Sequence, residues 1–240
     1  MLNINVISNQ ATAGSLSFDS AALGRYTHLT PASIFITRDK KHERARVEKF
    51  IHDVFFETYG ATIDSFYPTL MSVHDVWNDI FAAVGFRGAE EGSLFLEQYL
   101  ELPIEEIAET TFGSKIPRHS IVEVGNLAAT AQGASIFLFV AMTAYFKQMG
   151  YSHLVFTGTK ALHVHFQRLG LNPYLIGSAK PDALEDASKW GSYYETDPRI
   201  IIADIAQSHA HLQKILMVDY TEDVNSLHSR LHMPSSEWII

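Results

Sequence analysis

The chain has 240 residues, of which 47% are hydrophobic and 19% charged, the composition of an ordinary soluble globular protein with a full core. Its formal net charge of −9 is unfavourable for a nucleic-acid partner, because such a protein needs excess Lys and Arg to neutralise phosphates. The absence of cysteine excludes disulfides, a thiolate nucleophile and cysteine-bound zinc, and is consistent with a cytoplasmic location.

No targeting or membrane-spanning segment is predicted. The opening residues lack the basic n-region and apolar h-region of a secretory signal. The most apolar window, residues 134–146, is shorter than the roughly 20 apolar residues that cross a bilayer. This window is therefore expected to form a core helix.

The first half of the chain predicts a lead-in followed by mixed elements. Residues 1–30 are polar, small and turn-rich, and are expected to form a loosely packed N-terminal lead-in. A short apolar run predicts a strand over 33–38, and apolar residues at helical spacing predict a helix over 42–61. Residues 79–100 are interpreted as two strands around the turn GAEEGS, and residues 102–113 as a short helix.

The second half alternates strands with helices. Strands are predicted over 119–128, 152–159 and 173–177, and helices over 132–150 and 159–170. This order indicates an α/β fold, with one domain over residues 31–204. Residues 205–240 are expected to form a C-terminal arm that packs on the core or on a partner subunit, as in a homodimer.

The stretch EVGNLAATAQGAS, residues 123–135, joins a β-branched strand to an apolar helix through small side chains. Amide groups at a helix N-terminus attract anions, and small residues let a phosphate approach the backbone. A ligand phosphate is therefore one explanation of this stretch. Close packing of the helix on the sheet is the other.

The order of elements resembles the Gcn5-related N-acetyltransferase fold, a mixed central sheet flanked by helices. The elements that carry this resemblance are a strand, the small-residue loop, a long helix, a second strand and a helix ending in FQRLGL. In that superfamily the loop reads Q/R-x-x-G-x-G/A, and its amides hold the pyrophosphate of acyl-CoA or of the pantetheine arm of acyl carrier protein. Here Thr130, Gly133 and Ser135 stand at the three positions, and two of them depart from the pattern. The residues that the resemblance assigns to the acyl thioester are Leu127, Ala128, Gln132, Gly133, Ala134 and Ser135.

A second resemblance covers residues from about 40 to 205. The thermostable hemolysin family is similar to the chain in the segments VGFRGAEEGSLFLEQYLELPIE, RHSIVEVGNLA, LVFTGTKALHVHFQRLGL and KWGSYYETDP. That family resembles acyl-homoserine-lactone synthases and N-acyl amino acid synthases, which implies acyl transfer from CoA or acyl carrier protein to a small amine. Those synthases carry E-x-S-R-F-A-V where this chain has EVGNLA, so the arginine of the motif is absent.

Two polar residues of this strand are candidates for catalysis. Glu123 is the candidate general base, because burial in an apolar strand raises the pKa of a carboxyl group. Its alternative role is a structural ion pair with Arg118 or Arg87. Asn126 is a candidate to bond the pantetheine or the thioester carbonyl, and its alternative is to satisfy local backbone groups.

The general acid is less evident. Acetyltransferases of this fold often carry a Tyr where this chain has Phe166, which cannot donate a proton. Tyr193, or its neighbour Tyr194, is the candidate for that role, with aromatic packing over the sheet as the alternative. Departure of the thiolate without a dedicated acid is a further alternative. The candidate contacts to the substrate are Arg87, Arg118 and Trp190, and arginine offers a bidentate fork to a carboxylate or phosphate.

No metal site is predicted. His228 and His232 have the i, i+4 spacing of zinc ligands, but no third ligand is evident. The sequence favours an acyltransferase whose co-substrate is an acyl-CoA or acyl carrier protein thioester. Two other functions stay open, a membrane-active hemolysin and a catalytically inactive module that binds acyl thioesters. The lack of a basic amphipathic face is unfavourable for direct lysis.

Overall fold

The computed structural model describes residues 1–8, 11–38 and 42–222, which form one ten-stranded sheet with helices on both faces. The strands are β1 Leu2–Ser8, β2 Ala11–Phe18, β3 Ser33–Thr37, β4 Thr69–His74, β5 Ile80–Gly88, β6 Ile121–Ala129, β7 His153–Gly158, β8 Tyr174–Ser178, β9 Arg199–Asp204 and β10 Val218–Glu222. The helices are α1 Ser20–Leu23, α2 His42–Tyr59, α3 Ile104–Phe112, α4 Ser135–Gln148, α5 Lys160–Arg168 and α6 Ile205–Leu216.

The sheet has the strand order β10-β2-β1-β3-β4-β5-β6-β7-β9-β8. Its neighbouring strands are antiparallel except for two parallel pairs, β1 with β3 and β6 with β7. Helix α4 forms the crossover between β6 and β7, and a crossover helix is the usual connection between parallel strands. The crossover places the carboxyl ends of β6 and β7 side by side.

The two faces of the sheet carry different helices. Val122 and Val124 of β6 pack in the same core cluster as α4, α5 and α6. Ile121 belongs to a cluster with α3 on the other face, because successive side chains of a strand point to opposite sides. Helix α4 is apolar on nearly every side and is buried, as the sequence predicts for residues 134–146.

Local sequence signals fix several helix ends. The Thr159 hydroxyl accepts a hydrogen bond from the Leu162 amide and begins α5, and the Asp204 carboxylate accepts from the Gln207 amide and begins α6. Helix α3 ends at Gly113, whose φ of 69° is the left-handed conformation that glycine adopts without strain.

The structure corrects two of the sequence predictions. Residues 1–30 are predicted to be a loosely packed lead-in, whereas they supply β1 and β2, and Ile4 and Phe18 are fully buried. Residues 79–100 are predicted to form two strands, but only β5 forms, and short 3-10 turns follow it over Ala89–Glu91 and Phe95–Tyr99. The second strand is absent because Glu123 binds the backbone amides of this segment, as described below.

The predicted C-terminal arm packs on the core as far as it is described. Helix α6 contacts α4, and β10 pairs with β2 at the edge of the sheet. Residues 223–240, including His228 and His232, lie outside the described residues. The homodimer stays a prediction.

Candidate functional site

Strands β6 and β7 separate at the middle of the sheet. Their parallel pairing covers Ile121–Val124 and His153–Phe156 and then stops. Beyond this point β6 continues along β5 to Ala129, and β7 continues along β9 to Gly158. Two neighbouring strands therefore diverge, and their facing edges open a gap in the sheet.

A β-bulge in β6 accompanies the separation. Three residue steps of β6, from Gly125 to Ala128, lie opposite two steps of β5, from Ala83 to Gly85. Asn126 occupies the bulge with φ of 51°, a left-handed conformation that asparagine tolerates better than most residues. Its side-chain Oδ1 accepts a hydrogen bond from the backbone N–H of Tyr67 at 3.2 Å. Asn126 thus satisfies a backbone group, as the alternative interpretation states, while it also lines the cavity described next.

A cavity of about 460 Å³ occupies the gap and extends to both faces of the sheet. Its volume lies in the range of small-molecule sites. On the side of α4, α5 and α6 its walls are apolar and include Phe139, Met142, Leu162, Phe166 and Leu212. On the other side its walls are aromatic and include Tyr59, Tyr67, Tyr99, Trp190, Tyr193 and Tyr194. One end therefore suits an aliphatic chain, whereas the other offers hydroxyl groups and ring faces.

Glu123 lies beside the cavity and does not line it. Its side chain is 1% exposed, and it accepts hydrogen bonds from the Leu96 amide at 2.7 Å, the Phe95 amide at 3.0 Å and Arg87 Nε at 3.1 Å. Burial raises the pKa of this carboxyl group above its usual value, although the amides and the guanidinium oppose the rise. The ion pair with Arg87 is present, and both the structural role and a catalytic role are compatible with this position.

Arg87 does reach the cavity. Besides Glu123 it donates from Nη2 to the Ser93 carbonyl at 2.6 Å, and its guanidinium carbon lies 5.8 Å from the centre of the Tyr67 ring. Arg118, in contrast, is absent from the cavity wall, and its contact with the substrate stays a prediction. Its guanidinium is bound at 2.7 Å to both Glu97 and Glu105.

Tyr67 is a residue that the sequence analysis missed. Its ring lies over Gly125, where an added Cβ would be 2.5 Å from ring Cε2 and 2.8 Å from the hydroxyl oxygen. It also lies over Gly85, the residue opposite Gly125 in β5. Glycines at facing positions of two strands indicate the close approach of another group, but only the tertiary structure identifies that group as Tyr67.

The aromatic wall brings together the other predicted residues. Tyr193 is buried, burial raises its pKa, and its hydroxyl donates to the Thr157 carbonyl at 3.5 Å. The Tyr194 hydroxyl lies 2.6 Å from the Tyr99 hydroxyl. Trp190 contacts Tyr193 with ring centres 5.4 Å apart. The general-acid role of Tyr193 and the substrate role of Trp190 stay predictions.

The small-residue loop lies outside the cavity wall. Of the residues assigned to the thioester, only Leu127 lines the cavity. Ala128 is buried on the side of α2. The other four do not line the cavity; they are Gln132, Gly133, Ala134 and Ser135. A Cβ on Gly133 would lie 2.6 Å from the Thr27 side chain and 2.9 Å from the Tyr26 carbonyl. Residues of the N-terminal segment therefore lie directly against Gly133, and the role of the loop amides in phosphate binding stays a prediction.

Within residues 1–8, 11–38 and 42–222, no group of three or more His, Cys, Asp or Glu side chains is arranged to hold a metal ion. In the same part of the chain, every helix is too short or too polar to span a bilayer.

Solved structures share this architecture. TofI in an apo form is 17% identical over 75% of this chain and 95% of its own, with a TM-score of 0.52. FeeM, an N-acyl amino acid synthase from uncultured soil microbes, is 15% identical over 78% of this chain and 97% of its own, with a TM-score of 0.52. BjaI, a CoA-dependent acyl-homoserine lactone synthase solved with SAM and isopentyl-CoA, is 14% identical over 73% of this chain and 83% of its own, with a TM-score of 0.50. These likenesses confirm the predicted mixed α/β acyltransferase-type fold.

Sequence comparison gives the family. No curated protein sequence matches the chain significantly. The family model for thermostable hemolysin matches residues 37–209, which is most of the chain and agrees with the resemblance in the four segments. The chain therefore belongs to the thermostable hemolysin family.

Proposed function

We propose that the protein is an acyltransferase that moves an acyl group from an acyl-CoA or acyl carrier protein thioester to a small amine. The observation that carries the proposal is the cavity between β6 and β7, which passes through the sheet at a bulge. A gap between two strands exposes backbone N–H and C=O groups at the edges of both. An amide-containing chain such as pantetheine can bind these groups as an added strand does.

The two ends of the cavity suggest where each substrate binds. The apolar end, with Phe139, Met142 and Leu162, suits the acyl chain, since burial of each CH₂ group contributes about 0.8 kcal/mol. The aromatic end, with Tyr67 and Trp190, suits the acceptor amine. The thioester carbonyl would then lie near the bulge, and the amides of Gly133 and Ser135 are the proposed donors to the phosphates.

The first test is thermal unfolding of the full chain with CoA, acetyl-CoA, octanoyl-CoA and palmitoyl-CoA. A ligand that binds only the folded state raises Tm, so a thioester at 100 times its Kd would stabilise the chain by about 2.7 kcal/mol. Two tryptophan substitutions in α5 provide the control. Leu162→Trp fills the apolar end and should abolish the stabilisation, whereas Val164→Trp, at a position 36% exposed and outside the cavity wall, should preserve it.

The second test is turnover. Because the chain contains no cysteine, a thiol reagent detects only CoA released from an acyl-CoA. Amine-dependent release with a mixture of amino acids and simple primary amines supports the proposal. Binding without release for every amine would favour the inactive binding module instead. Leakage of liposomes caused by the protein alone, without a thioester, would favour the lytic function.

A further inference from the structure

Most of the acceptor positions of Glu123 are already occupied. An ionised carboxylate offers about four lone-pair sites. Three are taken by the amides of Phe95 and Leu96 and by Arg87, which leaves one site. A general base acts only within hydrogen-bond reach of the proton that it removes. Glu123 is absent from the cavity wall, so by itself it does not meet this requirement.

Tyr67 connects Glu123 to the cavity. Its ring lines the cavity and covers Gly125, the residue two positions after Glu123 and on the same side of β6. Gly125 is the first residue of β6 beyond the pairing with β7, so the phenol oxygen lies at the point where the strands separate. The hydrogen bond from the Tyr67 amide to Asn126 and the contact with Arg87 hold the residue in place.

Resting on the proposed function, we infer that Tyr67 is a catalytic residue that takes a proton from the acceptor amine and passes its own hydroxyl proton to Glu123. The amine nitrogen bonds to the thioester carbonyl carbon as its N–H proton moves to the phenol oxygen. The phenol proton moves to Glu123, and the C–S bond then breaks. The proton held by Glu123 returns along the same route to the departing thiolate. The products are the amide and the thiol, with no net gain or loss of protons.

The pKa shifts of Tyr67 and Glu123 agree with this order of proton transfers. Burial, reinforced by the charge of Glu123, raises the pKa of Tyr67 well above its ordinary value, so a free tyrosinate is unfavourable and the two transfers occur together. Burial also raises the pKa of Glu123, which makes its carboxylate a better proton acceptor. Tyr67 is thus the group that touches the substrate, and Glu123 acts through it.

The test uses the full chain with octanoyl-CoA, with acetyl-CoA and palmitoyl-CoA alongside, and the amine mixture described above. Tyr67→Phe removes only the hydroxyl. It should lower kcat for thiol release about 100-fold, leave KM for the thioester within about threefold, and keep the Tm increase. Glu123→Gln should lower kcat similarly, and the double variant should be no slower than the slower single variant, because the two residues act as one unit.

Tyr151→Phe is the matched control. Tyr151 is another tyrosine whose pKa burial raises. Its hydroxyl donates to Glu90 at 3.1 Å, but it lies outside the cavity wall. This variant should keep the wild-type kcat. A Tyr67→Phe variant with wild-type kcat, or losses that multiply in the double variant, would overturn the inference alone. Failure of the wild-type chain to bind or consume any of the three thioesters would overturn the proposed function and the inference with it.

Discussion

Replacing Glu123 by alanine should destabilise the protein strongly, whatever its catalytic role. The substitution leaves the amides of Phe95 and Leu96 without their acceptor and Arg87 without its ionic partner. An unsatisfied buried N–H group costs about 1–3 kcal/mol. Arg87 is partly exposed and keeps the Ser93 carbonyl, so its contribution is smaller.

Together these losses amount to about 4 kcal/mol of the free energy of unfolding. For a chain of this length each kcal/mol shifts Tm by about 2–4 °C, so Tm should fall by about 10 °C. Glu123→Gln keeps one acceptor oxygen and should lose about half as much. The measurement is urea unfolding followed by tryptophan fluorescence and circular dichroism, which also shows whether the transition is two-state.

Glu105→Ala is the matched control. This carboxylate also binds a guanidinium, that of Arg118, but it is 33% exposed and Arg118 keeps its bonds to Glu97. Its removal should cost less than about 1 kcal/mol. If Glu123→Ala were no more destabilising than Glu105→Ala, Glu123 would not hold the segment 93–96 in place, and the account of why no second strand forms there would be wrong.

Three further outcomes are expected. In urea unfolding, Gly133→Ala should lower the free energy of unfolding by about 1–3 kcal/mol more than Gly113→Ala does. Both glycines have positive φ, but only at Gly133 would the new Cβ meet another side chain, at 2.6 Å. Equal losses would contradict this packing. Hydrogen bonds to Glu97 outweigh its burial and lower its pKa to about 2, so its stabilisation is present above about pH 4.5 and is lost as the pH falls towards 2. The stability difference between wild type and Glu97→Gln should therefore shrink by about 1 kcal/mol between pH 5 and pH 3, and an unchanged difference would refute the assignment. Gly125→Ala should abolish the Tm increase with octanoyl-CoA, because the new Cβ would lie 2.5 Å from the Tyr67 ring and displace that ring into the cavity. A full Tm increase in this variant would show that the thioester binds elsewhere.

The sequence by itself determines the α/β core and its order of elements. The apolar window 134–146 predicts α4, the β-branched runs predict β6 and β7, and Gly170 follows α5 as predicted. These signals are local, since the period of apolar residues and the residues at helix ends depend on a few neighbours along the chain. The segments that resemble the thermostable hemolysin family are likewise readable without a structure, and the family match confirms them.

The tertiary structure alone decides what each polar or small residue contacts. Arg118 is only five residues before Glu123, yet it binds Glu97 and Glu105, while Glu123 is paired with Arg87. Gly133 lies against Thr27, which is more than 100 residues away in the chain. The sequence predicts a loosely packed segment over residues 1–30 because β1 and β2 alternate small, polar and apolar residues. The burial of these two strands depends on partner strands, some of them distant in sequence. Tyr67 reaches the cavity only because β5 and β6 place two glycines beneath its ring, a relation between three separate segments that no local pattern encodes.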